Sequence, residues 1–164
     1  HTKNGPAADL IAGAPGHDAP FANLNTVSEA GAVYGFFGHS LLPSTIEAAG
    51  SDLLINGSSE NGKIGASLAI GNFNGDGYAD FAIGAPSYLQ GLGAALLVPG
   101  SERPEAIQPI TISGVDPGDN FGAWLAMGDL NSDGRSDLII GVPGGDGANN
   151  SRPETGETYV VYGF

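Results

Sequence analysis

Two nine-residue stretches hold most of the chemistry open to this sequence. Asn72-Phe73-Asn74-Gly75-Asp76-Gly77-Tyr78-Ala79-Asp80 and Asp129-Leu130-Asn131-Ser132-Asp133-Gly134-Arg135-Ser136-Asp137 both carry oxygen-bearing side chains at positions 1, 3, 5 and 9, with glycine at position 6. A hard cation such as calcium takes about six to eight oxygens at roughly 2.3–2.6 Å, so a loop that holds one must curl and turn alternate side chains inward. Position 6 then needs a backbone conformation that glycine enters most easily. Two calcium sites are expected. The later loop, with carboxylates at Asp129, Asp133 and Asp137, should bind more tightly than the earlier one, which has only Asp76 and Asp80.

Position 7 would offer its backbone carbonyl, which explains why Tyr78 and Arg135 can differ so much there. The flanking runs have strand character, and the last carboxylate falls at position 9 and not 12, so an EF-hand is excluded. A metal-free hairpin turn uses the same Asn, Asp and Gly residues. Two copies in register, each ending in the Asp that opens the next strand, favour the cation. The stretch Lys3-Asn4-Gly5-Pro6-Ala7-Ala8-Asp9 has one residue too many after its glycine and no upstream carboxylate, so no metal is expected there.

Strands and turns must position these loops. The 28 glycines and 11 prolines of the 164 residues are spread along the whole chain, a pattern of many short strands and tight turns. A net charge of -13 argues against nucleic acid, whose phosphates need a basic partner. With no cysteine, no disulfide stiffens the fold. No apolar run approaches the roughly 18 to 20 residues that span a bilayer, and no signal segment opens the chain. It begins at His1, which suggests a processed, tagged or excised product.

A repeat organises the chain. Asp9-Leu10-Ile11-Ala12-Gly13-Ala14-Pro15 aligns without gaps with 80–86 and 137–143, at spacings of 71 and 57 residues. Each copy is followed by an apolar run framed by glycines, at 31–38, 93–100 and 156–163. The last two copies are preceded by runs at 64–71 and 121–128, and further strands fit at 52–57 and 108–114. Four short strands per unit of about 60 residues is the pattern of a propeller blade. The expected fold is all-β, with blades of four antiparallel strands and small residues innermost. The division is a truncated repeat at 1–57 and two fuller repeats at 58–114 and 115–164.

These residues resemble the FG-GAP repeat of integrin α subunits over essentially the whole chain. Phe121-Gly122 supplies "FG", with Ile64-Gly65 as a variant, while Gly13-Ala14-Pro15 and Gly84-Ala85-Pro86 supply "GAP", with Gly141-Val142-Pro143 as a variant. Gly31-Ala32-Val33-Tyr34 matches the family's third strand. The resemblance implies a seven-bladed propeller, of which this chain supplies about two and a half blades. It implies calcium ligation by Asn72, Asn74, Asp76, Tyr78 and Asp80, and by Asp129, Asn131, Asp133, Arg135 and Asp137, without catalysis. It also implies a ligand, protein or glycan, on the face opposite these loops. There the longer connections 16–30 and 144–155 are either recognition loops or disordered surface.

Three functions are open: a non-catalytic, extracellular adhesion or protein-interaction module, a calcium-stabilised lectin, and an accessory propeller of a secreted hydrolase such as the phospholipase D acting on glycosylphosphatidylinositol anchors. Trp124 falls in an innermost-strand pattern and reads as core more than as a platform for sugars. His1, His17 and His39 belong to no nucleophile or zinc motif and read as surface residues, and Asp116 and Asp119 as turn formers. Asn56-Gly57-Ser58 and Asn149-Asn150-Ser151 fit the glycosylation acceptor pattern. Because neither end falls at a blade boundary, apolar sheet faces and edges should be left open, to be completed by a longer parent chain or by self-assembly.

Overall fold

A computed structural model describes residues 9–20, 26–37, 45–101, 109–147, 151–153 and 155–164. Strands β1 (Leu10–Ala14), β2 (Ala19–Pro20), β3 (Thr26–Val27), β4 (Ala32–Phe36) and β5 (Leu53–Asn56) come first. Then follow β6 (Ser67–Gly71), β7 (Asp80–Ala85), β8 (Ala94–Val98), β9 (Ile110–Ser113), β10 (Trp124–Gly128), β11 (Asp137–Val142) and β12 (Glu157–Val161). They form antiparallel meanders in the orders β1-β4-β5, β6-β7-β8-β9 and β10-β11-β12, and β2 and β3 pair as a small separate ribbon within the 16–30 connection. The middle sheet is a complete four-stranded blade. Residues 3–8, 38, 108, 149 and 150, with His1 and His39, lie outside the described residues.

Sequence periodicity explains why β7 is central. Every residue of Asp80–Ala85 is buried, as a strand flanked in its own sheet and covered on both faces must be. Alternate side chains leave opposite faces. Phe81, Ile83 and Ala85 join Val33, Ile64 and Val98 in a core against the first sheet. Ala82 faces the other way, with Ala95, Leu97, Phe121, Leu138, Ile140 and Val142, against the third. The larger side chains of β7 thus fill one junction and the smaller ones let the other close tightly. The outer strand β5 alternates between half-buried and exposed instead.

The innermost strands start later than the apolar runs suggest, at Ser67 and Trp124 instead of Ile64 and Phe121. Gly65 and Gly122 adopt φ of +87° and +82°, a left-handed bend that ends extended structure there. The bend drives Ile64 and Phe121 into the core and lays each glycine against the preceding blade. A Cβ on Gly13 would sit 2.2 Å from the Gly65 carbonyl oxygen, and one on Gly84 would sit 2.1 Å from that of Gly122. Parallel bridges Gly31–Ile64 and Gly93–Phe121 fix the same junctions. The "FG" glycine of one repeat therefore rests on the "GAP" glycine of the repeat before it.

Trp124 is a correction. It is 72% exposed and not core. In the middle blade the same register position is Ser67, which faces Gly84 and whose Oγ donates to the Gly122 carbonyl at 2.8 Å. Trp124 faces Gly141 in the same way, on the side of the third sheet turned from the second. Leu130 and Val160, on the same side, are also exposed, whereas their middle-blade counterparts Phe73 and Leu97 are buried. An uncovered apolar blade face is what the sequence leads one to expect.

Candidate cation loops

Pairing of Gly71 with Asp80 and of Gly128 with Asp137 closes two hairpins of equal length over 72–79 and 129–136. Local hydrogen bonds then dictate their curl. In the earlier loop the Asp76 N–H donates to Asn74 Oδ1 at 3.0 Å and the Tyr78 N–H to Asp76 Oδ1 at 2.8 Å. The later loop repeats both bonds, from Asp133 to Asn131 Oδ1 at 3.0 Å and from Arg135 to Asp133 Oδ1 at 2.9 Å. Such side-chain turns bring positions 3 and 5 together: Asn74 Nδ2 donates to Asp76 Oδ2 at 2.8 Å, and Asn131 Nδ2 to Asp133 Oδ2 at 2.9 Å. Position 6 is left-handed in both, with φ of +86° at Gly77 and +87° at Gly134.

The two loops differ at position 1. Asp129 curls over its loop, accepting the Asp133 N–H at 3.1 Å and the Gly134 N–H at 2.9 Å, so positions 1, 3 and 5 converge. Asn72 instead holds the loops together through its backbone, with its N–H donating to Ser136 Oγ at 3.1 Å and its carbonyl accepting the Ser136 N–H at 2.8 Å. Its Oδ1 is buried without a hydrogen-bond partner. A buried acceptor left unsatisfied costs about 1–3 kcal/mol, so this oxygen is suited to a cation. The Arg135 side chain also lies against Gly75 of the earlier loop, and its positive charge opposes cation entry there.

Position 9 does something the sequence did not disclose. Asp80 and Asp137 are 1% and 0% exposed. Asp80 accepts from the N–H groups of Phe73 at 2.6 Å, Asn74 at 3.2 Å and Gly100 at 2.7 Å. Asp137 accepts from Leu130 at 2.8 Å and Gly163 at 3.0 Å. Each carboxylate thus staples its loop to the end of the third strand, Asp80 with two N–H groups on Oδ2 and one on Oδ1, and Asp137 with one N–H group on each oxygen. Among the described residues no three carboxylates or imidazoles already converge as a metal cluster. The donors of each loop are turned onto its own N–H groups, and a cation would draw on the side chains of positions 1, 3 and 5, with the carbonyls of Tyr78 and Arg135 at position 7.

Asp133 is held below the ordinary carboxylate range, mainly by the Arg135 N–H and then by Asn131. A depressed pKa makes the ionised form the one the folded loop favours. Its contribution is therefore present above the usual carboxylate range and lost as pH falls through the lowered value. At the opposite end of the third blade, burial and then Asp116, Asp146 and Glu157 push Asp119 upward. Asp116 and Asp119 belong to the turn before Phe121, with Gly118 at φ +96° and Asn120 at +59°. His17, half-buried after β1, stands edge-on to Tyr34.

Repeated antiparallel meanders joined glycine to glycine, one of them a complete four-stranded blade, with acidic loops closing the first hairpins of the second and third sheets, define a β-propeller of the integrin α type. The FG-GAP repeat family model matches residues 64–98 and 121–161, and the chain belongs to the FG-GAP repeat family. It is 33% identical over 151 residues to mouse phosphatidylinositol-glycan-specific phospholipase D, covering 88% of this chain and 17% of that protein. It is 34% identical over 137 residues to integrin alpha-PS5 of Drosophila melanogaster (78% of this chain, 13% of that protein), and 37% identical over 103 residues to mouse integrin alpha-7 (58% and 9%). The chain thus spans less than a fifth of these relatives, at most 17%.

Proposed function

We propose that this chain is a calcium-stabilised, non-catalytic propeller module that serves adhesion or protein interaction outside the cell. The observation that carries the reading is the convergence of Asp129, Asn131 and Asp133 in a loop whose twin leaves a buried Asn72 oxygen without a partner. Calcium supplies a fixed positive centre that draws these oxygens together and stiffens the hairpin. The residues themselves set the loop's curl, through their bonds to its N–H groups, and its attachment to the third strand, through Asp80 and Asp137. Modest sites of this kind fill where calcium is plentiful, as it is outside cells. The similarity to integrin α subunits supports a protein ligand on the face opposite the loops, and among the described residues no helix is long and apolar enough to cross a membrane.

Addition of calcium is expected to raise the melting temperature by several degrees, with reversal by chelator and little effect from magnesium, which demands stricter octahedral geometry. Equal melting curves in calcium and chelator would contradict the reading. A second reading, an accessory propeller of a secreted hydrolase, is favoured by the similarity to phosphatidylinositol-glycan-specific phospholipase D. Detection of a hydrolase domain in the parent polypeptide would select it. A lectin reading would be selected by calcium-dependent retention on a glycan array.

A further inference from the structure

Among the described residues asparagine is followed directly by glycine at 56–57, 61–62 and 74–75. In such a pair the backbone nitrogen can attack the preceding side-chain amide with least hindrance, because glycine has no side chain to crowd the five-membered ring that forms. The attack needs the glycine N–H free to lose its proton. In two pairs it is engaged: the Gly57 N–H donates to the Gly31 carbonyl at 2.9 Å, and the Gly62 N–H to the Ser59 carbonyl at 3.0 Å. The Gly75 N–H has no acceptor among the described residues, and Gly75 is exposed in the earlier acidic loop.

The amide under attack is held and polarised. Asn74 Oδ1 accepts the Asp76 N–H at 3.0 Å, a donor aimed at the oxygen on which negative charge gathers when its carbon is attacked. The Arg135 guanidinium lies beside the nucleophile, since a Cβ on Gly75 would stand 3.1 Å from its Nε. A cation there favours the deprotonated, anionic form of the Gly75 nitrogen. The later loop is a built-in comparison. Asn131 Oδ1 accepts the Asp133 N–H at 3.0 Å, and Ser132 has φ of +62° where Gly75 has +73°. The two backbones are alike, but Ser132 carries a side chain that crowds the ring, and the Arg135 cation is turned onto the other loop.

We infer that Asn74 and Gly75 form a self-modification site, at which the folded chain converts its own asparagine side chain to a carboxylate. The Gly75 nitrogen bonds to Asn74 Cγ, the Cγ–Nδ2 bond breaks, and the proton from Gly75, passed through solvent, leaves with the amide nitrogen as ammonia. Water then opens the five-membered imide at one of its two carbonyls, leaving aspartate or isoaspartate at position 74. The overall change consumes one water and releases one ammonia. Either product removes the Nδ2 donor that Asp76 Oδ2 accepts at 2.8 Å and sets a second negative charge beside Asp76, so the metal-free loop loosens. The aspartate product also brings the earlier loop to the later loop's count of carboxylates. The reaction needs only the chain and water, so it stands apart from the calcium reading.

The test incubates the folded full chain in mildly alkaline buffer with excess chelator and follows it by peptide mapping with tandem mass spectrometry. A gain of one dalton is expected at Asn74, at least tenfold faster than at Asn56, Asn61 or Asn131, with isoaspartate detected in the same peptide by enzymatic carboxyl methylation. Unfolding in urea should bring Asn56 and Asn61 level with Asn74, because their glycine N–H groups are then released. Gly75→Ser, which copies the later loop, should slow the gain to the rate at Asn131, with circular dichroism confirming that the variant is folded. No gain at Asn74, a folded-state rate at Asn56 or Asn61 equal to that at Asn74, or a gain in folded Gly75→Ser as fast as in the wild type would overturn the inference. Calcium uptake is read separately by calorimetry, so failure of this inference and failure of the calcium reading are distinguishable outcomes.

Discussion

Gly84→Ala is expected to destabilise the chain by about 3 kcal/mol or more, enough to unfold much of it at ordinary temperature. The new methyl would fall 2.1 Å from the Gly122 carbonyl oxygen and the same distance from Ser67 Oγ. The hydroxyl can rotate away, but the carbonyl belongs to a glycine bend pinned by the Gly93–Phe121 bridge. Relief therefore requires the second and third blades to separate. Gly13→Ala meets the Gly65 carbonyl in the same way, at 2.2 Å. Gly141→Ala is the internal control: its nearest neighbour is the Trp124 Cβ at 3.1 Å, on an uncovered face. Its cost should be about 1 kcal/mol or less. Urea midpoints of the three variants measure this ranking, and equal losses would show that the glycine contact does not hold the blades.

The second large effect belongs to Asp80. Replacement by alanine leaves the N–H groups of Phe73, Asn74 and Gly100 without their acceptor, two of them between 2.6 and 2.7 Å from it in the native chain. Losing a buried carboxylate that several donors share is expected to cost about 3–5 kcal/mol. Asp80→Asn should recover only part of that, because its amide group adds donors where acceptors are required. The comparison is made in excess chelator, where no metal can contribute. A large loss there identifies Asp80 as a staple in its own right, whereas a loss seen only in calcium would make it a ligand alone.

Much of this was legible because each repeat states its needs twice. The acidic spacing at 72–80 and 129–137 fixed the hairpin lengths, and glycine at position 6 announced the left-handed turn seen at Gly77 and Gly134. Gly100 and Gly163, which end the third strands, could be read as stops. Their second role, donating to Asp80 and Asp137, could not, because a backbone N–H leaves no mark in the sequence. Ser136, at position 8 of its loop, carries no motif and yet clasps the neighbouring loop at Asn72. The environment of Trp124 was misjudged for a related reason. Strand pattern tells which face a residue leaves by, but burial depends on whether another sheet covers that face. Leu96 and Tyr159 occupy one register position, facing Ile83 and Ile140, and the contact of the Tyr159 ring with Phe121 emerges only in the folded chain.

Calcium uptake by the two loops is the centre of this account, and isothermal titration with calcium tests it most directly. The wild-type chain should bind two ions, the tighter at 129–137. Asp129→Ala should abolish the tighter event and leave the weaker one, and Arg135→Ala should strengthen binding at 72–80 by removing the charge beside Gly75. No heat of binding in a folded wild-type chain, or two events untouched by Asp129→Ala, would contradict it.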